Sequence, residues 1–221
     1  MVHNLLGTIY RDIGHAEQAV DEYRKAMELG DNLAEKAADY SNYLFTLHYL
    51  KKAPQFMYEA AKGYDALFKN IKVYEHGKRS HKKLRIGYIS PDFHSHVVAL
   101  FSQAFFKNHD KNRFLLYGYA NCQEDQTSLD IKVYADVWRN IYAMKATDVA
   151  QLIYRDEIDI LVDLAGHTRD NCLPVLAFRP APIQISGIGY FNTTGLKTVD
   201  RFLAGTDTEP SSGARGNRTS F

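Results

Sequence analysis

The sequence predicts an all-helical N-terminal part followed by an α/β lobe built on a parallel sheet. Three observations carry this. Residues 4–68 hold apolar positions at helical spacing, with no stretch of strict alternation. From Leu84 onward short β-forming runs alternate with helical ones, as in successive βαβ units. The run 158–164 is almost continuously apolar, as a strand covered on both faces is. The boundaries expected are a helical part over 1–72, a basic linker over 73–83, the α/β lobe over 84–204 and a disordered tail over 205–221.

In the helical part, Leu5, Leu6, Ile9, Tyr10 and Ile13 make one amphipathic face. Ala16, Ala19, Val20, Tyr23, Ala26 and Met27 make a second, after a break at Gly14-His15. Leu6-Gly7, Tyr10, Gly14, Ala19, Tyr23 and Ala26 resemble a tetratricopeptide repeat. Its small residues let paired helices approach closely, so Gly7 is expected opposite Ala19 or Ala26. A less regular helical pair follows over 33–50 and 54–68, rich in tyrosine. The run 75–83 is basic and has no apolar face, as a linker or surface segment has.

In the lobe, strands are predicted over 84–89, 114–120, 137–142, 158–164, 183–188 and 199–204. Helices are predicted over 97–109, 129–135, 147–155 and 173–178, the third capped by Thr147 or Asp148. This is half or more of a doubly wound sheet. Beyond Gly205 only Ala214 is apolar before the final Phe221, so the tail reads as disordered.

Bulk composition narrows the function classes. A hydrophobic share of 45% and a charged share of 24% suit an ordinary globular chain. A net charge of +1 gives no electrostatic reason to expect nucleic acid or an anionic membrane as partner. No apolar run reaches the roughly 18 residues of a spanning helix. Residues 1–5 lack the regions of a signal peptide. Cys122 and Cys172 form neither a CxxC pair nor a zinc spacing, and read as free thiols in a cytoplasmic protein.

Three polar loops follow predicted strands and carry reactive side chains: Asp92, His94 and His96; His167 and Thr168; Tyr190, Thr193 and Thr194. In an open parallel sheet such loops share the carboxyl edge, where ligands bind. His96, His167 and Tyr190 are therefore expected to open onto one cleft. Gly187-Ile188-Gly189 lacks the third glycine of a dinucleotide fingerprint, and no P-loop or Gly-x-Ser-x-Gly elbow occurs. No Asp-x-Asp is present to anchor a metal-bridged diphosphate, and His94-Ser95-His96 has no third ligand at a recognisable spacing, so no metal is expected.

The same loops carry a resemblance. Residues 84–96, 158–168 and 179–195 resemble the catalytic region of the O-linked N-acetylglucosaminyltransferases, the SPINDLY-like proteins. The helical pattern with Tyr40-Ser41-Asn42-Tyr43 looks like the end of that family's repeat array. The resemblance implies inverting transfer of N-acetylglucosamine from UDP-N-acetylglucosamine to Ser or Thr hydroxyls of protein acceptors, without a metal or other cofactor. It implies a GT-B fold of two Rossmann-like lobes, of which this chain holds the first. The candidate catalytic residues are then His96 and His167. The candidate substrate-binding residues are Asp92, Thr168, Gly189, Tyr190, Thr193, Thr194 and Gly195. Phe191-Asn192 stands where Pro-Gly is more usual in the family. A peptide partner for the helical repeat follows from the same resemblance. The chain on its own is expected to be inactive, because the family grips uridine and diphosphate with its second lobe. The rival readings are a non-catalytic interaction module on the same scaffold, and a different sugar donor.

Overall fold

The computed structural model describes residues 2–203. Four helices come first: α1 Val2–Asp12, α2 Ala16–Leu29, α3 Leu33–Leu47 and α4 Pro54–Asp65, the last running into a 3-10 turn at Ala66–Phe68. Then β1 Leu84–Ser90, α5 Val97–Asn108, β2 Phe114–Ala120, α6 Gln126–Lys132, β3 Val137–Asn140, α7 Ala146–Arg155, β4 Ile160–Asp163, α8 Leu173–Leu176, β5 Ile183–Gly187 and β6 Arg201–Leu203 form the lobe. All strand pairs are parallel, in the order β3-β2-β1-β4-β5-β6. This is the doubly wound arrangement, with its switch point between β1 and β4. The expected disordered tail and the predicted strand end at Ala204 lie outside the described residues.

Helices α1 and α2 turn at Gly14, whose φ of +84° suits a residue without a Cβ. The expected opposition of Gly7 to Ala19 or Ala26 is corrected by the packing. A Cβ on Gly7 would lie 2.8 Å from Cε1 of Tyr23, so the fully buried Tyr23 ring fills the space over the glycine. The Tyr23 hydroxyl reaches the Thr8 hydroxyl at 3.1 Å, which fixes the ring there.

Two helix starts differ from expectation. Helix α6 begins three residues early because Asp125 and Ser128 form a reciprocal capping box at its start. Helix α7 begins at Ala146 with Lys145 at the cap position, and neither Thr147 nor Asp148 caps it. The basic segment 73–83 has no helix or strand, yet it is strapped to the amino edge of the sheet. His76 Nε2 reaches the Arg179 carbonyl at 2.8 Å, Arg79 donates to the Ile158 carbonyl at 2.6 Å, and His81 Nδ1 lies 2.8 Å from Asp159.

The apolar interior lies on both faces of the sheet. Phe93, Val98, Phe106, Leu116, Ile131 and Val162 fill the space under α5 and α6. On the other face Ile89, Tyr119, Ile153 and Leu161 join Tyr23, Leu44, Leu47, Tyr64 and Phe68 in one continuous cluster. The helical part and the lobe thus share a core. Gly195 marks how closely they meet: with φ of +74°, a Cβ there would fall 1.9 Å from the Ala61 carbonyl oxygen of α4.

Candidate active site

Register aligns the ends of the central strands. Ile89 of β1 faces Asp163 of β4, and Asp163 faces Ser186 of β5, so the loops after all three leave the same edge. Asp163 is fully buried and anchors the turn after β4. It accepts from Ser186 Oγ at 2.7 Å and from the Gly166 and Ala165 amides at 2.8 and 3.2 Å. Burial pushes its carboxyl up, against the pull of these three donors.

The loop after β1 is the exposed part of this edge. Ser90 Oγ accepts from the Asp92 amide at 3.0 Å. His96 caps α5, its Nδ1 accepting from the Val98 amide at 3.3 Å. With Nδ1 so engaged, a neutral ring carries its proton on Nε2. Asp92 Oδ1 lies 3.7 Å from the same Nδ1, and the His96 side chain is 42% exposed. Burial raises the Asp92 carboxyl above the usual range, while His96 and His94 pull it down. With Nδ1 turned from Val98 to Asp92 and the ring proton carried on Nδ1 in place of Nε2, Nε2 would be free as a base. This is how a carboxylate–imidazole pair serves a hydroxyl proton. The His94 ring stands beside that of His96, their centroids 5.8 Å apart. Among the described residues no third side chain completes a metal-binding group with them.

The other two loops are placed differently from expectation. His167 and Tyr190 do come together, with ring centroids 5.4 Å apart, but neither opens onto a cleft: they are 1% and 2% exposed. Helix α3 and its C-cap residue His48 supply partners to both. His167 Nε2 donates to the Thr194 carbonyl at 2.9 Å, which leaves Nδ1 to accept from Ser41 Oγ at 3.0 Å. Tyr64 packs its ring edge-on to His167 at 4.7 Å. Burial lowers the His167 pKa to about 4, so the ring is neutral. The Tyr190 hydroxyl meets His48 Nε2 at 2.8 Å, and burial pushes the phenol up and the imidazole down.

The glycines and threonines of this region are mostly structural. A Cβ on Gly189 would sit 2.4 Å from the Leu164 carbonyl oxygen, so only glycine fits between the strand ends. Thr193 Oγ1 accepts from the Gly195 amide at 3.2 Å, and Thr194 is buried. Phe191, by contrast, is 70% exposed, with its ring 4.6 Å from that of His48.

Thr168 is the member of the second loop that reaches open space. Its hydroxyl donates to the Ala165 carbonyl at 3.1 Å. With Arg169, Asp170 and Asn171 it lines a cleft of about 440 Å³ whose opposite wall is Asn4, Thr8 and Arg11 of α1 and Ser41 and Asn42 of α3. Ser41, Asn42, His48 and the segment 169–171 were not among the sequence candidates. The tyrosine-rich 40–49 stretch was the available signal, and Ser41, Phe45 and His48 of it meet the lobe.

Burial of His167 has a pH consequence. An unfolded histidine titrates near 6.5, whereas His167 stays neutral in the fold down to about 4. The unfolded chain therefore binds the extra proton in that window. Stability is fully present above about pH 6.5, falls as pH drops toward 4, and this loss levels off below, at about 3 kcal/mol in total. Urea unfolding at stepped pH is expected to show a steeper acid loss in the parent than in His167→Gln. Equal slopes would place the histidine's titration elsewhere.

Comparisons with known proteins agree with this architecture. The model of glycosyl transferase family 41 matches residues 65–217. A probable UDP-N-acetylglucosamine–peptide N-acetylglucosaminyltransferase SPINDLY of Oryza sativa subsp. japonica is 34% identical over 191 residues, covering 82% of this chain and 20% of the relative. Its namesake in Arabidopsis thaliana is 40% identical over 132 residues, 56% of this chain and 14% of the relative. A solved structure, a K341M mutant of the Thermobaculum terrenum O-GlcNAc transferase, superposes with a TM-score of 0.82 at 27% identity, covering 90% of this chain and 39% of that one. The chain thus spans about a fifth of the length of the curated relatives. A parallel-sheet lobe with its helical preface, matched over this length, leaves one assignment: the chain belongs to glycosyl transferase family 41.

Proposed function

We propose that this chain forms the acceptor-side part of a protein O-N-acetylglucosaminyltransferase, which moves N-acetylglucosamine with inversion from UDP-N-acetylglucosamine to Ser or Thr hydroxyls. The observation that carries the reading is His96. It stands exposed at the carboxyl edge of β1 with a carboxylate beside it, within the stretch the family model covers. An inverting transfer needs an acceptor hydroxyl held beside the anomeric carbon and a group to take its proton. His96 Nε2, backed by Asp92, suits that task. His167 and Tyr190 serve by fixing the loops after β4 and β5 under α3. A scaffold role alone would leave an exposed His96 beside the buried Asp92 carboxylate unexplained.

The acceptor polypeptide is assigned to the cleft between α1, α3 and Thr168. Its polar lining includes Asn42, whose side-chain amide can donate to and accept from an extended backbone, beside Arg169 and Asp170. The two buried free thiols, Cys122 and Cys172, accord with a cytoplasmic setting. The test is a titration of the ¹⁵N-labelled chain with a serine-containing peptide. Amide shifts are expected at Asn42, Thr168, Asp170 and Asn171. A peptide that binds while leaving these four unmoved would remove the cleft from the acceptor path.

A further inference from the structure

We propose that Asp125 is a positioning residue for His96, fastening the turn that carries it to the first turn of α6. The proposal rests on the reading of His96 as the acceptor-side group.

The fastening takes hold on both sides of His94. The Ser95 amide donates to Asp125 Oδ2 at 2.7 Å, and Ser128 Oγ donates to the Phe93 carbonyl at 2.5 Å. Asp125 Oδ1 meanwhile accepts from the Ser128 amide at 3.0 Å, so one carboxylate caps α6 and holds the histidine loop at once. The Ser128 amide, followed by that of Ser95, holds the Asp125 carboxyl below its usual range, with burial acting the other way. Both bonds are thus charge-assisted across neutral pH. Phe93, at the root of the turn, is fully buried among Phe106 and Trp138. The turn is therefore pinned by packing at one end and by Asp125 at the other. The position of the His96 ring, poised between the Val98 amide and Asp92, follows from that backbone. A displacement of about 1 Å at such a group costs on the order of a hundredfold in rate.

Asp125→Asn separates the two duties. Asparagine caps a helix about as well as aspartate. Its single carbonyl oxygen can keep the Ser128 amide, and its NH₂ cannot accept from Ser95. The experiment is ¹H–¹⁵N NMR of the full 221-residue chain. In the parent, the Ser95 and Ser128 amides are expected to follow one shared titration at acidic pH. In Asp125→Asn, α6 is expected to remain formed, while the Ser95 order parameter falls from about 0.85 to below about 0.6 and the His96 ring signals move. An unchanged Ser95 order parameter and unchanged His96 ring signals would overturn the proposal. Should the variant fail to fold, two independent titrations for the Ser95 and Ser128 amides in the parent would overturn it equally. None of these readouts needs transfer or peptide binding. A loop that loosens in Asp125→Asn while transfer ignores His96 would therefore count against the proposed function alone, and a loop that stays held in Asp125→Asn against the role of Asp125 alone.

Discussion

Supplied with UDP-N-acetylglucosamine and a protein acceptor, the 221-residue polypeptide by itself is expected to transfer sugar at least about a thousandfold more slowly than a transferase carrying the whole family architecture. Departure of a nucleoside diphosphate builds negative charge that must be met by cations or oriented amides. Such stabilisation is worth several kcal/mol, and about 1.4 kcal/mol is tenfold in rate. The described carboxyl edge offers little of this. The amino end of α5 is occupied by the His96 ring, and the loop after β4 supplies one arginine, Arg169. The chain spans about a fifth of its curated relatives, and the proposed function does not ask this lobe to supply the diphosphate grip. A radiolabel assay on the purified chain checks this. Transfer at a whole enzyme's rate would show that this lobe grips the donor unaided.

The second large effect concerns His96. In a protein that carries the rest of the architecture, His96→Ala is expected to lower kcat by about a hundredfold to ten-thousandfold, the usual share of a positioned acid or base. The donor's KM is expected to move little, because the proposed function puts His96 beside the acceptor hydroxyl. Asp92→Asn is expected to fall between the two, since it keeps the ring and removes the charge that favours a proton on Nδ1.

The order of elements was legible because burial period and turn residues agree locally. Strand β2 begins and ends where its apolar run does, at Phe114 and Ala120. Helix α6 was displaced because its capping box pairs Asp125 with Ser128, where a glutamate or glutamine is the readable sign. Placement of three loops at one edge followed from strand-then-loop order in a parallel sheet. Their burial did not, because it depends on α3. Ser41 reaches His167 across 126 residues and His48 reaches Tyr190 across 142, and no local pattern encodes such partners. The strap over 73–83 escaped notice for the same reason. Its histidines and arginine bond to backbone and carboxylates far away in sequence, so the run looks like linker when read by itself.

The proposed role of His96 is to serve the acceptor hydroxyl in sugar transfer. Its most direct test is a chimera in which residues 2–203 replace the matching segment of the Thermobaculum terrenum transferase, the structural relative with a TM-score of 0.82. Transfer of radiolabelled N-acetylglucosamine to protein is measured with His96 intact and with His96→Ala. Transfer is expected in the first and a loss of at least about a hundredfold in the second, with donor binding retained in both. Equal transfer by the two proteins would contradict it.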